Sequence, residues 1–543
     1  MQDKATGSGS FVNAELYHDR ERRLLVYHTA EPDRVCHYVP EAKRINGAYV
    51  AVPATLRNAQ LLRLLAMPIP GIMEASGYDW PIKKGWKPLA HQKLMAEFMV
   101  AHPRCFNLSD MGTTKTMAAL WAADFVMERE KTHALVVAPL SILQRVWGDA
   151  IFSSFLGRRT LQILYGSGAE RERQLEKTSD FYIINFDGLG VGAVTRKRFE
   201  LEGLSKALFD RTDIGLAIVD EASAYRDART KRHRIARVIL GSKNYLWQLT
   251  GTPTSNGPTD AYGLAKLANT TRGESYTSFH NRTMMKVSTF KWIPRAGSYD
   301  EARKLLSPAI RFDIRDVWDG PPMTTQQREV ALTDEQKRAM AQLKRDLQIV
   351  LKAGQPITAV NEGAARWKFI ELSLGGVYDE NHKSHAVDAS PRVNELKAII
   401  DNAPGKILCF TPLTNICNML YKELKAKVAC EIVNGEVSQR DRSSIFERFQ
   451  SAESALRLLI ADPGTMAHGL DLWQAQTVVW YGPTDRTELY LQANRRAHRP
   501  GQKHPVTVVQ IVSNKLEREI YRRLESNESL QGLLLEMVRE GKL

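Results

Sequence analysis

The chain has 543 residues, of which 43% are hydrophobic and 25% are charged, so it is too long for one hydrophobic core and we expect two or three domains. Its formal net charge of +14 indicates a polyanionic partner, either nucleic acid or an anionic membrane, because each Lys or Arg that neutralises a phosphate releases a counterion. No apolar run reaches the roughly 20 residues of a spanning helix, and the polar start lacks a signal-peptide core. These features argue against a membrane partner and favour a cytoplasmic or nuclear location.

The first part of the chain predicts a small α+β accessory unit and a linker, over residues 1–83. Short apolar stretches between Leu24 and Thr55 are broken by Pro, Asn and Gly, which is typical of short strands joined by turns. A helix is predicted near Asn58 to Met67, and the Pro- and Gly-containing segment from Pro68 predicts a linker.

Strand-like runs then alternate with helical patterns in two separate parts of the chain, residues 84–257 and residues 393–514. The runs are RCFNLSD, HALVVAPL, FYIINFD, IGLAIVD and NYLWQLTG in the first part, and KILCFT, EIVNG, LRLLIADP, TVVWYG and VTVVQIVS in the second. This alternation is typical of a parallel sheet covered by helices, so we expect two α/β lobes. Residues 258–392 predict a helical insertion and inter-lobe connection, and residues 515–543 an amphipathic helical tail.

Five cysteines are scattered along the chain without the paired short spacings of a zinc site or a disulfide framework. We expect them to be reduced packing residues: Cys36, Cys105, Cys409, Cys417 and Cys430.

A candidate phosphate loop follows the first strand of the first lobe. The segment SDMGTTKT places a tight turn, a Lys and a hydroxyl residue at the start of a helix, where backbone N–H groups can hold phosphates. Lys115 can reach the β and γ oxygens, and the Thr116 hydroxyl can ligate Mg²⁺. The candidate loop residues are Asp110, Met111, Gly112, Thr113, Thr114, Lys115 and Thr116. An ordinary strand–helix turn is the alternative for this segment taken alone.

Two adjacent carboxylates end the apolar run LAIVDEAS, about a hundred residues after the loop. Asp220 at the strand end suits water-mediated Mg²⁺ binding, and Glu221 suits polarising an attacking water. The pair could merely cap the next helix, but its position after a phosphate loop in an α/β chain favours the catalytic interpretation.

Two further motifs carry candidate site residues. QLTGTPTSN follows an apolar strand and suggests a hydroxyl switch at Thr250, Gly251 and Thr252 that links the nucleotide site to the other lobe, although a polar turn is the simpler interpretation. QANRRAHRPGQ is the most specific sequence motif in the chain. Its Arg496 and Arg499 lie three apart, so on a helix they share a face and could reach a γ-phosphate presented by the first lobe.

These four motifs, in this order, resemble the Swi/Snf-type family of helicase superfamily two. PLAHQ resembles the family's adenine-sensing motif, with Gln92 in the recognising role. VVAPLSILQRVW resembles the motif that meets the nucleic-acid backbone, and IINFDGLG resembles its partner further on. KILCFTPLTN, NGEVSQRDRSSIFERFQ and ADPGTMAHGLDLWQA are similar to motifs of the second lobe. The resemblance covers about Pro88 to Ser513.

The resemblance implies two tandem RecA-like motor lobes and an ATP-driven translocase that tracks along double-stranded DNA, with ATP and Mg²⁺ as ligands. It implies that Arg496 and Arg499 act with Lys115 and Glu221 in catalysis. It also implies motor-coupling roles for Thr250, Gly251, Thr252, Gly469, Asp471 and Gln492. The compact form looks like bacterial or bacteriophage members, including those that remodel forked or branched DNA, and a phage-encoded protein would act in the host cytoplasm.

Ser109 and Thr114 stand where the phosphate-loop consensus has glycines, and the second departs from the family's loop, which has Gly immediately before the Lys. Thr114 places a Cβ where backbone approaches phosphate. We expect the Thr to be accommodated with a negative φ, so that nucleotide affinity is weakened rather than abolished.

Two other functions stay open. A strand-separating helicase on DNA, or less readily on RNA, uses the same motor with an added wedge. A non-catalytic nucleic-acid clamp would follow if the loop had decayed through Thr114. The basic run RDARTKRHRIAR is a candidate nucleic-acid contact, and a solvated helix face is an equal alternative.

Overall fold

The computed structural model describes residues 14–19, 21–65, 67–69, 71–195, 199–288, 291–352, 359–379, 383–466 and 472–526, together with Leu530, Leu533, Leu534 and Met537. The chain divides into two compact units. The first contains Met1–Pro253, Tyr262–Arg272 and Lys304–Asp313, and the second contains Thr254–Ala261, Gly273–Arg303 and Ile314–Leu543.

The N-terminal part forms a small antiparallel sheet with the strand order β1-β2-β4-β3. Its elements are β1 (Ala14–Asp19), β2 (Leu24–Thr29), α1 (Pro32–Tyr38), β3 (Lys43–Asn46), β4 (Tyr49–Pro53), α2 (Leu56–Leu64) and α3 (Ile72–Ala75). Alternate residues such as Leu25 and Tyr27 point to one face and pack with Val35 and Leu62, as the period of two in a strand requires. The predicted β-rich unit is therefore confirmed.

A seven-stranded parallel sheet organises the first unit, in the order β15-β5-β12-β11-β6-β8-β7. The elements up to the end of this lobe are α4 (Ala90–Ala101), β5 (Arg104–Asn107), α5 (Lys115–Glu130), β6 (Ala134–Ala138), α6 (Asp149–Phe155), β7 (Leu161–Ile163), α7 (Gly168–Glu176), β8 (Phe181–Asn185), β9 (Val194–Thr195), β10 (Phe199–Glu200), α8 (Gly203–Asp210), β11 (Leu216–Asp220), α9 (Lys231–Ile239), β12 (Tyr245–Leu249) and α10 (Ala261–Ala268). All five predicted strands are present. Every residue of β6, β8, β11 and β12 is buried, because helices cover both faces of the sheet.

The segment after α2 contributes to the core of this lobe. Ile72, Met73 and Trp80 belong to the same buried cluster as Trp121 of α5. The Trp121 indole nitrogen donates a hydrogen bond to the Pro81 carbonyl oxygen at 2.6 Å. The predicted linker is thus packed against the lobe along much of its length.

The middle of the chain contains strands as well as the predicted helices. Its elements are α11 (Tyr276–Thr283), β13 (Met284–Ser288), β14 (Lys291–Pro294), α12 (Ser298–Leu305), β15 (Ala309–Ile310), α13 (Ile314–Val317), β16 (Met323–Glu329), α14 (Asp334–Lys352), α15 (Ala359–Leu374), β17 (Gly376–Tyr378) and β18 (Ser384–Ala386). β15 joins the edge of the first sheet and β16 joins the edge of the second. The periodicity could not predict β16, because this edge strand has the polar sequence MTTQQRE and is largely exposed.

A six-stranded parallel sheet organises the second unit, in the order β16-β23-β22-β19-β21-β20. Its remaining elements are α16 (Ser390–Asn402), β19 (Lys406–Phe410), α17 (Thr414–Leu424), β20 (Cys430–Val433), α18 (Gln439–Gln450), β21 (Leu458–Ala461), β22 (Ala475–Trp480), α19 (Thr487–Ala497), β23 (Val506–Val512) and α20 (Lys515–Glu525). Each of the five predicted strands is present, so the two parallel-sheet lobes are confirmed.

Apolar residues of the C-terminal tail pack into the second lobe. Leu530, Leu533, Leu534 and Met537 belong to its buried cluster, and the Leu534 amide donates to the Glu362 carboxylate at 3.0 Å. All five cysteines are free thiols, as the sequence predicts. Among the described residues, no helix has the length and hydropathy needed to cross a bilayer.

Candidate active site

The candidate phosphate loop connects the buried strand β5 to the first turn of α5, in the strand–loop–helix order that the sequence predicts. Within the loop, Gly112 has a φ of +85°, and the Thr113 hydroxyl donates to the Asp110 carbonyl oxygen at 2.8 Å. These contacts bend the loop back so that the N-terminal end of α5 faces it. A helix N-terminus with free N–H groups attracts anions, which suits a phosphate.

Thr114 has a φ of +58° and a ψ of +39°, so the expectation of a negative φ is wrong. The loop needs a left-handed residue here because the chain reverses sharply before entering α5. Its hydroxyl donates to the Thr113 carbonyl oxygen and accepts from the Gln92 side-chain amide, both at 2.6 Å. The left-handed conformation costs an L-residue with a Cβ roughly 1–2 kcal/mol, and these two bonds offset part of that cost.

Gln92 lies on the first turn of α4, buried beside the loop. Its side-chain oxygen accepts a hydrogen bond from the Leu89 amide at 2.8 Å, and its nitrogen donates to Thr114. Both ends of the amide group are therefore engaged with protein atoms in this structure. Recognition of an adenine by Gln92 requires exchange of at least one of these bonds.

Lys115 is the first residue of α5, and its side chain turns back over the loop. The ammonium group donates to the carbonyl oxygens of Ser109 at 2.7 Å and Asp110 at 2.9 Å. The Lys115 charge thus lies within the curve of the loop, where a bound phosphate would compete for it.

Sequence reasoning missed a second support of the loop, the segment around β15. Beyond that strand, the Asp110 amide donates to the Phe312 carbonyl oxygen at 2.9 Å, and the Phe312 amide donates to the Ser109 hydroxyl at 3.1 Å. Arg311 forms an ion pair with Asp110 at 3.7 Å. This segment is short and separated from the loop by about 200 residues of chain, so no local pattern could reveal the pairing.

The two predicted acidic residues lie at the end of β11, two strands away from β5 in the same sheet. Asp220 is 8% exposed, and its carboxylate accepts hydrogen bonds from the Trp147 indole nitrogen at 2.9 Å and the Glu221 amide at 3.0 Å. Burial raises the pKa of the Asp220 carboxyl, and both hydrogen bonds and the nearby Lys115 charge oppose the rise.

Glu221 is less buried than its neighbour and has a φ of +52°. Non-glycine residues in the left-handed region are uncommon and cluster at functional sites, where the surrounding structure holds them. Asp220 is buried and Glu221 is partly exposed, so the two adjacent carboxylates differ in their contact with solvent.

The third predicted motif packs directly against the phosphate loop. A Cβ built on Gly251 would lie 3.3 Å from the Met111 backbone nitrogen, so only glycine gives this close approach without displacing the loop. Thr250 is buried, and its hydroxyl accepts from the Thr252 amide at 3.2 Å. The ends of three neighbouring strands, β5, β12 and β11, therefore bring the loop, Gly251 and Asp220 to one edge of the sheet.

In the second unit, Arg496 and Arg499 do not share a helix, and that expectation is wrong. α19 ends at Ala497, so Arg496 lies in its last turn and Arg499 in the turn that follows. Arg496 is 7% exposed and Gln492, on the same helix, is 1% exposed. Gly501, four residues beyond the end of α19, has a φ of +111°.

Gln502 has a structural role in this turn. Its side-chain nitrogen donates to the carbonyl oxygens of Trp473, Ala475 and Ala497, at distances from 2.7 to 3.1 Å. These bonds fix the turn that carries Arg499 to the segment before β22. Gly469 and Asp471, two of the predicted coupling residues, lie outside the described residues.

The residues around the loop suit Mg²⁺ with a nucleotide better than a transition metal. Thr116 and Asp220 offer a hydroxyl and a carboxylate, the hard oxygen ligands that Mg²⁺ takes together with water and phosphate. In the described part of the chain, no cluster of three or more His, Cys, Asp or Glu side chains could hold a metal by itself.

Comparison with known proteins agrees with this arrangement. The SNF2-related domain model matches residues 91–363, and the helicase conserved C-terminal domain model matches residues 391–501. The first match covers the loop, the acidic pair and Gly251, and the second ends at Gly501.

Similar proteins come from phages and cellular organisms. Protein p41 of Acyrthosiphon pisum secondary endosymbiont phage 1 is 22% identical over 84% of this chain and 99% of its own length. The ISWI chromatin-remodeling complex ATPase CHR17 of Arabidopsis thaliana is 23% identical over 79% of this chain, which spans 40% of CHR17. The solved SWI2/SNF2 ATPase core of Sulfolobus solfataricus in complex with dsDNA aligns with 85% of this chain and 95% of that chain, at 18% identity and a TM-score of 0.37. The chain belongs to the SNF2 family of helicase superfamily two, whose members are ATP-dependent motor enzymes.

Proposed function

We propose that this protein is an ATP-driven translocase on double-stranded DNA. The observation that carries the proposal is the convergence of the loop, Gly251 and Asp220 at one sheet edge, where the Lys115 charge acts on the Asp220 carboxyl. A phosphate-binding loop, a Mg²⁺-binding acid and a coupling motif are the parts that phosphoryl transfer from ATP requires. The net charge of +14 supports a polyanionic track.

In the proposed mechanism, the backbone amides at the N-terminal end of α5 and the Lys115 side chain hold the phosphates of ATP. Thr116 and Asp220 would hold Mg²⁺, which neutralises charge on the β- and γ-phosphates when bound. Glu221 orients the attacking water, and its partial exposure gives that water access. Gln92 selects adenine after exchanging its bond with Thr114 or with Leu89.

Arg496 and Arg499 stabilise the charge that develops on the γ-phosphate. Fixed positive groups at such a position contribute most when they are held before the reaction, because no reorganisation is then needed. The buried position of Arg496 and the Gln502 hydrogen bonds around Arg499 supply this rigidity.

DNA contacts come from hydroxyls, backbone amides and basic side chains, which gives little sequence preference. The exposed face of α9 is one candidate, since Lys231 and Arg237 are exposed there. Two other basic side chains of this run already have acidic partners. Arg229 pairs with Asp227 at 3.0 Å and Arg232 with Asp187 at 2.6 Å.

Forked or branched DNA is the proposed biological target, and the cytoplasm the proposed location. Residues 1–83 would select the DNA structure, as appended units of this family do by analogy. Because Leu56, Ala59 and Trp80 belong to the core of the first lobe, a clean test removes only residues 1–54. We expect the truncated protein to retain ATP hydrolysis and lose its preference for forks over linear duplex, and a retained preference would contradict the role.

A non-catalytic clamp is the competing function that one observation favours, namely the left-handed conformation of Thr114. The presence of Lys115, Asp220 and Glu221 around the loop supports the enzyme instead. A strand-separating helicase differs in its product, since a pure translocase displaces the third strand of a triplex without opening a plain duplex.

The test is steady-state ATP hydrolysis without nucleic acid and with single-stranded DNA, duplex DNA, a fork and RNA. A Glu221→Gln variant serves as the control, because it keeps the size and hydrogen-bonding capacity of the side chain. Strong stimulation by duplex or forked DNA that is absent in the control supports the proposal. No hydrolysis under any condition would leave the clamp as the better account.

A further inference from the structure

An unusual helical turn connects β6 to α6 in the first lobe. Leu143–Gly148 form a π-helical turn, between a 3₁₀ turn at Leu140–Ile142 and the start of α6. π-Helical residues are well under 1% of residues in globular proteins, and such turns occur frequently at functional sites. The π-helical turn at Leu143–Gly148 is therefore a candidate for a functional role in the first lobe.

The turn directs one side chain to the catalytic acid. Trp147 is fully buried, and its indole nitrogen donates to the Asp220 carboxylate at 2.9 Å. Among the described residues, the only other hydrogen-bond donor to this carboxylate is the Glu221 amide, on the opposite oxygen. An indole N–H can only donate, so Trp147 holds one oxygen of Asp220 and, together with the Glu221 amide on the other oxygen, fixes the orientation of the carboxylate.

The other side of the same segment faces solvent. Leu140, Ser141 and Gln144 are exposed, while Leu143 and Trp147 are buried. The segment lies within VVAPLSILQRVW, which resembles the family's motif that meets the nucleic-acid backbone. The exposed Gln144 lies three positions before Trp147, whose indole donates to Asp220, so only two residues separate them.

We infer that Trp147 is a positioning residue that transmits nucleic-acid contact at Ser141–Arg145 to the Asp220 carboxylate. The inference rests on the proposed function, because it takes nucleic acid as the partner of this turn. A phosphate bound at the outer side holds the turn in one conformation. The held turn keeps the indole on its carboxylate oxygen, and this fixed orientation of Asp220 is the one that would hold Mg²⁺.

The test begins with Trp147→Phe, which keeps an aromatic ring in the core and removes the N–H donor. A hydrogen bond to a charged acceptor corresponds to a factor of about ten or more, so we expect the stimulation of hydrolysis by duplex DNA to fall about tenfold. The affinity for duplex DNA, measured by fluorescence anisotropy, stays at the wild-type value. An equal fall of the rates with and without DNA would overturn the inference, because Trp147 would then transmit nothing.

Trp121→Phe is the matched control. Trp121 is fully buried in the same lobe, and its indole nitrogen donates to the Pro81 carbonyl oxygen rather than to a carboxylate. Both variants lose similar packing, so their melting temperatures show whether the lobe still folds. We expect the control to keep the wild-type stimulation by DNA, and loss of stimulation in both variants would assign the effect to packing.

A second measurement does not depend on hydrolysis. The affinity for a non-hydrolysable ATP analogue is compared with and without Mg²⁺. Trp147→Phe should lose part of the gain that Mg²⁺ provides and keep the Mg²⁺-free affinity, whereas Trp121→Phe keeps both. If Mg²⁺ raised the affinity of Trp147→Phe for the analogue as much as it raises that of the wild-type protein, Trp147 would not position Asp220.

A double-mutant cycle tests the transmission itself. Gln144→Ala should lower stimulation in the wild-type protein and have no further effect in the Trp147→Phe background, because both residues act along one path. If the effects of Gln144→Ala and Trp147→Phe on the stimulation by DNA were additive, the two residues would not act along one path. A wild-type protein that duplex DNA does not stimulate would contradict the proposed function, whereas a stimulated protein with additive effects contradicts this inference alone.

Discussion

The Gln92 side chain donates a hydrogen bond of 2.6 Å to the hydroxyl of Thr114, the residue that stands where the family has glycine. The same amide group accepts from the Leu89 backbone, so it bridges the start of α4 and the phosphate loop. The hydroxyl that departs from the family's loop is thus also the partner of the proposed adenine-reading residue. A bound nucleotide that contacts Gln92 has to compete with this bond.

Thr114→Gly should therefore bind ATP more tightly than the wild-type protein. Glycine removes the Cβ from the position where the backbone approaches the phosphate and releases Gln92, so we expect a gain of several-fold in affinity. Isothermal titration with a non-hydrolysable analogue measures it. Thr114→Ala is the control, because it removes the hydroxyl and keeps the strained Cβ, and its gain should be smaller. Weaker binding by both variants would mean that the hydroxyl contacts the nucleotide.

Arg499→Ala and Arg496→Ala should both lower DNA-stimulated turnover, by about 10³-fold if they act as arginine fingers do elsewhere. They should differ in stability. Arg496 is 7% exposed, so its removal should also lower the melting temperature, whereas Arg499 lies in a more exposed turn. Arg495→Ala is the control, since Arg495 is a partly exposed neighbour that contacts His498 at 3.3 Å. Normal turnover in either arginine variant would remove that residue from the proposed mechanism.

Both parallel sheets could be predicted from the sequence because their central strands are buried on both faces and therefore read as continuous apolar runs. The run LAIVD, for example, is buried at every position. β16 could not be predicted, because an edge strand exposed on one side carries polar residues such as Gln326 and Arg328 without periodicity. β15 could not be predicted either, because a strand of only two residues shows no pattern.

The residue types of the site could be predicted, and their backbone conformations could not. The strand-to-helix order around Lys115 follows from local pattern, but the positive φ of Thr114 reflects the sharp reversal of the loop against α4. The end of α19 at Ala497, which separates Arg496 from Arg499, depends on Gln502 hydrogen bonds to distant carbonyl groups. The contact of Trp147 with Asp220 joins residues 73 apart in the chain.

Replacement of Lys231 and Arg237 by Ala should weaken DNA binding in a salt-dependent way. Each lost phosphate contact reduces the slope of log Kobs against log salt by about 0.9, so the double variant should lower it by about 2. The control is Lys337→Ala with Arg345→Ala, which removes the same charge from exposed positions of α14. Equal slopes for the two double variants would show that α9 presents only a solvated face.

His102 should make the first lobe sensitive to acid. The residue is 5% exposed, its ring stacks on Phe98 at 3.9 Å, and its Nδ1 lies 2.6 Å from the Phe98 carbonyl oxygen. Burial is the main reason that the pKa of His102 is lowered to about 4, and the Arg63 charge lowers it further. In the unfolded chain the imidazole titrates near its ordinary value of about 6.5.

Between about pH 6.5 and pH 4 the unfolded chain therefore binds a proton that the folded lobe does not, so this contribution to stability falls as the pH falls. The loss approaches about 3 kcal/mol and is complete near pH 4. His102→Phe keeps a ring against Phe98 and cannot titrate, so its free energy of unfolding, from urea titrations at several pH values, should depend less on pH in this range. The exposed His504, replaced by Phe, is the control. A His102→Phe curve that runs parallel to the wild-type curve would mean that the buried imidazole is protonated as readily in the folded lobe as in the unfolded chain.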